Sequence, residues 1–282
     1  MRKKYALIAV IALIFILFLS IVLHPKKVNI NSQPFKIYIS LGDSVSAGVG
    51  LENYSDPSAC NRTIEAYPSL VAQSLYLKNS NLSCSGATLT NGVLGNQIVN
   101  QLSILPQLDQ LFKVKTPYLI SLTVGANDIG WTDFISKCYT GVCGGADDTN
   151  TLAIRLNSMS SNLDTALKNI QNNYVKHVPK MLVTGYYQVL PANKSNCSDI
   201  AGIDQSELLW ARDQQQKLNV TIESVVQQYS FAKYVPTDFS GHELCSSDPW
   251  VQGINSAAPY HPNDKGQTAI SIDLVKEYKT FK

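Results

Sequence analysis

Three short segments of the sequence combine glycine with a serine, an amide or a histidine. Ser44 lies in GDSVSAG at 42–48, Asn127 in GANDIG at 125–130, and His261 in HPNDKG at 261–266. Each segment alone is typical of a turn, because Gly, Asn and Asp are common turn residues. Together they supply what serine acyl chemistry needs, which is a hydroxyl, an imidazole to accept its proton and donors for the developing oxyanion.

Two of these segments directly follow predicted strands. The run FKIYISLG at 35–42 alternates between apolar and polar residues, and YLISLTVG at 118–125 is almost continuously apolar, as in a strand buried on both faces. His261 precedes a helix predicted at about 266–279. Ligands of parallel α/β sheets bind beyond the carboxyl ends of the strands. We therefore expect all three segments at one edge of a sheet.

The rest of the chain alternates helices with strands. This alternation predicts an α/β fold with three α/β/α layers around a mostly parallel sheet. We find no internal repeat and no obvious second domain after the N-terminal region. The further predicted elements are helices at 66–77, about 149–175 and about 205–229, and strands at 180–186 and 231–235.

The N-terminal region is of a different kind. Residues 5–23 carry no charge and would span roughly 28 Å as a helix, enough to cross a membrane. We divide the chain into a signal-anchor or signal segment at 1–25, a tether at 26–34 and a domain at 35–282. A cleavable signal peptide has a shorter apolar region and ends in small residues, so an uncleaved anchor is favoured. Cleavage would instead give a secreted protein.

Charge and motifs exclude several classes of function. The net charge is +2, but five of the basic residues lie before residue 35, and the 18 that remain are outnumbered by 21 acidic residues. There is no basic stripe of the kind that binds nucleic acid. HExxH, P-loop and dinucleotide fingerprints are absent, so we expect no metal and no organic cofactor. The five early basic residues are Arg2, Lys3, Lys4, Lys26 and Lys27.

All six cysteines follow the apolar run. An even number suits disulfides in an exported, oxidising compartment, whereas a zinc site is disfavoured because no CxxC occurs. Six cysteines allow fifteen pairings, and their grouping along the chain favours the sequential one. In that pairing the partners are Cys60 with Cys84, Cys138 with Cys143, and Cys197 with Cys245.

The glycine-containing segments resemble the four blocks of the SGNH (GDSL) hydrolase family. The second block matches SGAT at 85–88, and the four blocks occur in the family order over a region from about Phe35 to Lys282. The resemblance implies a flavodoxin-like SGNH-hydrolase fold. It also implies Ser44 as nucleophile, His261 as general base, and Ser44 N–H, Gly86 N–H and the Asn127 amide as oxyanion donors.

Further details resemble the disulfide-bearing extracellular esterase and lipase subgroup of actinobacterial type. A cysteine precedes Arg62, Tyr67-Pro68 follows, Cys84 directly precedes the second block, and Gly241-His242-Glu243-Leu244-Cys245 precedes Pro249-Trp250. In that subgroup the six cysteines pair sequentially.

One position departs from the family pattern. The family places an aspartate three residues before the histidine, where this chain has Ala258. Either a main-chain carbonyl, that of Ala258, orients His261, or an acid such as Asp248 or Asp264 does so. The subgroup uses a Ser-His dyad with a carbonyl, so the resemblance favours the dyad. A carbonyl fixes the imidazole tautomer but adds no negative charge.

Few other residues could replace Ser44 or His261 in these roles. Ser46 half-resembles the G-x-S-x-G elbow of other hydrolases, but the first glycine is missing. His242 competes with His261, and its subgroup match suggests a substrate-cleft or structural role. Three aromatic residues could line an acyl pocket or pack in the core, namely Trp131, Trp250 and Tyr260.

These observations predict an extracytoplasmic serine ester hydrolase, an esterase or lipase that is held at a membrane by its N-terminal helix. We expect a monomer that acts on small-molecule, lipid or glycan esters. The alternative is an acyltransferase that uses the same serine to move acyl groups onto cell-surface glycan, because an acceptor alcohol then replaces water. A non-catalytic binding protein is disfavoured, since every site position is filled.

Overall fold

The computed structural model describes residues 36–56 and 59–281, and its centre is a sheet of five parallel strands. The strand order in the sheet is β4-β1-β7-β8-β9. If these five strands are numbered 1 to 5 in chain order, the order in the sheet is 2-1-3-4-5, which is the flavodoxin-like arrangement. The predicted three-layer α/β fold is confirmed. The five strands are β1 (Ile37–Gly42), β4 (Lys78–Asn81), β7 (Leu119–Thr123), β8 (Lys180–Thr184) and β9 (Ala232–Val235).

The central strands are those that the apolar pattern predicts. Every residue of β7 is buried, and β1 and β8 are each buried except at their first residue. Such strands read as continuous apolar runs because helices cover both faces. The edge strand β4 reads Lys-Asn-Ser-Asn and is partly exposed, so its sequence carries no strand signal. It was not predicted.

Helices cover both faces of the sheet. The second and eighth helices pack on each other, as do the sixth and seventh. The long predicted helices are confirmed, whereas the short helices around the predicted motifs were missed. The helices are α1 (Ser44–Ala47), α2 (Tyr67–Leu75), α3 (Gln107–Leu111), α4 (Ala126–Ile129), α5 (Trp131–Thr140), α6 (Ala146–Asn173), α7 (Gln205–Val226) and α8 (Asp264–Thr280), with a 3-10 turn at Ser198–Ile200.

Two small antiparallel pairs lie outside the central sheet. They are β2 (Tyr54–Asp56) with β3 (Arg62–Thr63), and β5 (Gln97–Val99) with β6 (Leu102–Ile104). The second pair lies beside the SGAT block, because the Gln97 side-chain amide donates a 2.7 Å hydrogen bond to the Ser85 carbonyl.

Three disulfides join the predicted cysteine pairs, which confirms the sequential pairing. They close segments of 24, 5 and 48 residues. The Cys60–Cys84 bridge is buried and directly precedes the SGAT block.

The predicted segments 1–25 and 26–34 lie outside the described residues. Within residues 36–56 and 59–281, no helix is long and apolar enough to span a bilayer.

Loop length predicts how much each disulfide contributes to stability. Replacing Cys197 and Cys245 together by serine should lower the free energy of unfolding by about 4 kcal/mol, because the bridge closes a long loop in the unfolded chain. Replacing Cys138 and Cys143 together should cost only about 2 kcal/mol. Guanidinium unfolding followed by circular dichroism measures both values. The reverse ranking would show that native-state packing, and not loop closure, sets the contribution.

Candidate active site

Ser44 lies where β1 meets the central strand β7. Gly42 ends β1 with φ +132°, and a Cβ there would lie 2.2 Å from the Thr123 carbonyl oxygen, so only glycine fits. The next residue, Asp43, donates its backbone N–H to that same carbonyl at 2.9 Å. Asp43 also caps α1, since its carboxylate accepts the Val45 N–H at 2.9 Å. Ser44 is therefore the first residue of a short, fixed helix.

His261 reaches Ser44 from the loop before α8. Its Nε2 lies 2.8 Å from Ser44 Oγ, across 217 residues of sequence. The loop is held by Gln252, whose N–H donates to the His261 carbonyl at 2.8 Å and whose own carbonyl accepts the Tyr260 N–H at 2.9 Å. The structure therefore brings the predicted nucleophile and the predicted base into direct hydrogen-bond contact.

A backbone carbonyl faces the other ring nitrogen of His261. Nδ1 lies 3.1 Å from the Pro259 carbonyl oxygen, whereas the Ala258 carbonyl accepts the His261 backbone N–H at 3.3 Å. The Pro259 carbonyl is thus the one within hydrogen-bond distance of Nδ1, and the predicted Ala258 carbonyl also acts on the ring. Tyr260, which lies between these carbonyls and His261, has a left-handed conformation at φ +69°.

The two candidate acids do not contact His261. Asp248 pairs with Lys265 at 2.5 Å, and its backbone carbonyl lies 2.7 Å from His242 Nδ1. Asp264 is the exposed first residue of α8. Among the described residues, no carboxylate pairs with the His261 ring.

Burial keeps the imidazole of His261 neutral. Desolvation lowers the pKa of His261 below its ordinary value of 6.5, and the Pro259 and Ala258 carbonyls oppose this shift. A neutral imidazole whose Nδ1–H donates to a carbonyl presents a free electron pair on Nε2. This is the form that accepts a proton from a hydroxyl.

Asn127 lies in the short helix α4 and Gly86 in the loop that follows β4, and side-chain hydrogen bonds tie the two segments together. The Asn127 side-chain amide donates to the Ala87 carbonyl at 3.0 Å, and the carboxylate of Asp128 accepts the Leu89 N–H at 2.9 Å. Gly86 adopts φ +76° in the same loop. Because an amide NH₂ has two donors, the Ala87 bond leaves one N–H of Asn127 for a substrate oxygen.

A tyrosine that the sequence analysis did not identify joins the serine and asparagine segments. The Tyr186 hydroxyl donates to the Asp43 carboxylate and accepts the Ala126 N–H at 3.2 Å. Burial raises the pKa of Asp43 to about 7, and the Tyr186 hydrogen bond opposes that shift. Burial likewise raises the pKa of Asp128 to about 6. Tyr186 lies in no recognisable motif, so no signal in the sequence marks it.

Two buried glutamines fix the same region. The Gln107 side chain accepts the Gly42 N–H at 2.7 Å and donates to the Gly42 carbonyl at 2.9 Å. The Gln267 side chain in α8 accepts the Tyr67 N–H at 2.8 Å and donates to the Val45 carbonyl at 3.0 Å. Gln267 thus links the helix that follows His261 to the helix that carries Ser44. Both glutamines were missed, because the sequence gives no sign of their partners.

A pocket opens over Ser44, and both Asn127 and His261 line it. Gly86 is not part of its lining among the described residues. The sequence analysis left two alternatives for the aromatic residues, a pocket wall or the core, and Trp131 and Tyr260 lie in the pocket wall. The other aromatic and aliphatic wall residues include Tyr186, Tyr187, Val189 and Leu218.

The rival residues have structural contacts instead. Trp250 stacks on His242 with 3.7 Å between ring centroids, and neither residue lines the pocket. Ser46 is fully buried, and its Oγ accepts a 3.2 Å hydrogen bond from the Tyr67 hydroxyl.

One group of metal-type ligands occurs within the described residues, comprising Cys197, Asp199 and Cys245. The two sulfurs are joined in a disulfide, so the group offers only one carboxylate. That carboxylate already accepts the Ile254 N–H at 2.9 Å.

The fold and the site define a carboxylic-ester hydrolase. The model of the GDSL-like Lipase/Acylhydrolase family matches residues 40–269, and the chain belongs to this family. The resemblance stated from the four sequence blocks is confirmed.

Among curated proteins, a lipase of Streptomyces rimosus is 28% identical over 238 residues, which cover 82% of each chain. Among solved structures, an extracellular lipase from the same species is 24% identical, with a TM-score of 0.65 over 88% of this chain and 100% of that one. A phospholipase A1 from Streptomyces albidoflavus is 25% identical, with a TM-score of 0.61 and the same coverage.

We expect the His261 imidazole to titrate below pH 6.5 in the folded protein, because burial penalises its charged form. Two-dimensional NMR of the histidine ring protons measures this pKa, with a His261→Gln variant to assign the resonance. In the urea-unfolded chain the same ring should titrate near its ordinary value. A folded-state pKa above 6.5 would mean that an unseen negative charge faces the ring.

Proposed function

We propose that the protein hydrolyses carboxylic esters through an acyl-enzyme formed on Ser44. The observation that carries this proposal is the 2.8 Å contact between His261 Nε2 and Ser44 Oγ. Ser44 Oγ attacks the ester carbonyl while His261 accepts its proton, and His261 then protonates the leaving alcohol. Water, deprotonated by His261, attacks the acyl-enzyme and releases the acid. The serine regains its proton in this second half of the cycle.

The developing oxyanion is stabilised by donors that are already in place. Ser44 N–H lies in the first turn of α1, where backbone donors have no partner within the helix. The free N–H of the Asn127 amide and the Gly86 N–H complete the proposed set. Tyr186 and Asp43 hold the Ser44 and Asn127 segments at a fixed separation, so these donors need not reorganise during the reaction.

The base acts without a carboxylate partner. The Pro259 carbonyl selects the tautomer with hydrogen on Nδ1 but adds no full negative charge. The imidazolium that forms during the reaction is therefore stabilised only by a dipole and by the oxyanion itself.

The enzyme acts outside the cytoplasm. Three disulfides indicate an oxidising compartment, which supports this location. The uncharged run at 5–23 either anchors the domain to a membrane or directs its secretion. The apolar wall of the pocket, formed by residues such as Trp131 and Leu218, is suited to an acyl chain.

Replacing the nucleophile tests the proposal. Ser44→Ala should lower kcat/KM for p-nitrophenyl esters by at least about 1,000-fold, because no other group can form the acyl-enzyme. Ser46→Ala is the matched control, since Ser46 lies two residues away and its hydroxyl accepts a hydrogen bond from Tyr67, far from the His261 ring. A fluorophosphonate should label the wild-type chain at Ser44 and leave Ser44→Ala unlabelled. If both alanine variants keep full activity and labelling, the assignment of Ser44 is wrong.

The same assay with acetyl, butyryl, octanoyl and palmitoyl esters defines the acyl preference. A maximum at short chains would indicate a general or carbohydrate-type esterase. A maximum at long chains would indicate a lipase. A folded, disulfide-paired protein that is labelled at Ser44 but releases no p-nitrophenol would point to transfer onto another alcohol.

The dyad predicts that neither candidate acid contributes to catalysis. Asp248→Asn and Asp264→Asn should each change kcat less than about three-fold, because a group without contact to the imidazole cannot orient it. Steady-state kinetics at several pH values measures this. A loss of several orders of magnitude in a variant that keeps its circular dichroism spectrum would replace the dyad with a triad.

A further inference from the structure

The edge of the sheet opposite the pocket is rich in lysine. The strand registers align Ile37 with Lys78, Leu119 with Lys180, and Met181 with Ala232, so all five strands begin at this edge. Lys36 directly precedes β1, whereas Lys78 and Lys180 are the first residues of their strands. Ser44 follows the far end of β1, roughly 20 Å away at about 3.3 Å per residue.

Loops and helix ends add further lysines at the same edge. Helices of a parallel α/β fold end where the next strand begins, so their C-terminal turns lie here. With the three lysines above, we call this set the lysine edge. Its other members are Lys113, Lys115, Lys176, Lys233, Lys276 and Lys279.

The charge of the lysine edge contrasts with that of the rest of the domain. After residue 35 the sequence has 18 basic and 21 acidic residues, so the domain as a whole is acidic. Nine of the 18 basic residues belong to the lysine edge. Three carboxylates lie in the last turns of neighbouring helices, Asp109, Glu223 and Glu277, and Glu277 pairs with Lys233 at 2.6 Å. Positive charge is therefore concentrated at the end of the domain where the parallel strands begin.

Most lysines of this edge extend into solvent. Lys78, Lys113, Lys115, Lys176 and Lys279 are exposed, and within the described part of the chain no carboxylate forms an ion pair with them. Their charge is available to a partner.

Two exposed side chains on this edge are typical of an interface with lipid. Tyr76 follows the end of α2 and is 87% exposed, and Val175 follows the end of α6 and is 80% exposed. Tyrosine prefers the boundary between water and hydrocarbon, because its ring is apolar and its hydroxyl is polar. Apolar side chains amid lysines can enter the headgroup region while the ammonium groups contact phosphate.

We propose that the lysine edge docks on the surface of a bilayer that contains anionic phospholipid. Charge complementarity selects this partner over a neutral surface, because anionic headgroups attract clustered lysines. The sequence before Lys36 agrees, since Lys26 and Lys27 follow the uncharged run at 5–23.

Docking in this way directs the pocket away from the lipid surface. The esters that reach Ser44 then come from the aqueous side and not from the bilayer on which the domain rests. Catalysis itself does not require docking, so the proposal stands or fails independently of the hydrolase mechanism.

Amine labelling of the full chain tests the docking. The protein is reconstituted in vesicles of phosphatidylcholine alone or with phosphatidylglycerol, treated with an acetylating reagent, and analysed by mass spectrometry. We expect Lys78, Lys113 and Lys176 to react about five-fold more slowly on anionic vesicles, with the protection lost at high salt, which screens surface charge. Lys194 and Lys217, which lie on other parts of the domain, should react equally on both.

Charge reversal separates docking from incidental burial. Lys113→Glu with Lys115→Glu should abolish the protection of Lys78 and Lys176 on anionic vesicles. The matched control, Lys194→Glu with Lys217→Glu, should leave it intact. Both variants should hydrolyse p-nitrophenyl esters in detergent at the wild-type rate, which shows that they fold.

Three results of the vesicle experiments would overturn the proposal. They are equal labelling on neutral and anionic vesicles, protection that survives the Lys113→Glu and Lys115→Glu changes, and protection of Lys194 and Lys217 in place of the lysine edge. Protection by a soluble polyphosphate without protection by anionic vesicles would also overturn it, because the partner would then be a polyanion and not a bilayer.

Discussion

The geometry of the site depends on the close approach of β1 and β7 at Gly42. A side chain at this position would collide with the Thr123 carbonyl, which already accepts the Asp43 N–H. The two strands lie on either side of the switch in strand order, and the segments that follow them diverge to leave a crevice. Ser44 starts from one wall of that crevice and Asn127 from the other. A parallel sheet of this order therefore places the serine hydroxyl and the asparagine side-chain amide beside the same crevice.

Buried amides and a buried phenol then hold the segments in place. Gln107 binds both polar backbone groups of Gly42, Gln267 links α8 to α1, and Tyr186 links Asp43 to Ala126. Each of these side chains satisfies backbone groups that water cannot reach. Leaving one such group without a partner costs about 1–3 kcal/mol, so these contacts stabilise the fold as well as the site. The chain uses the same residues for stability and for orientation.

The sequence predicts the parts of this arrangement that have a repeating pattern or a motif. Long apolar runs predict β1 and β7, and glycine-containing blocks mark Ser44 and His261. The polar edge strand β4 could not be predicted, because its pairing with β1 comes from position and not from apolar residues. Tyr186 and Gln267 act through partners far along the chain. Every residue has a carbonyl, so the sequence does not mark the Pro259 carbonyl as a partner of the His261 ring.

The contact between Ser44 and His261 also sets when the protein can first act. The two residues are 217 positions apart, and at about 5–20 residues per second the ribosome needs roughly 10–40 s to add the second after the first. Throughout that time the emerging chain carries the serine without the histidine that contacts it in the folded domain. The hydroxyl meets the imidazole only once the loop before α8 has packed against the Ser44 segment.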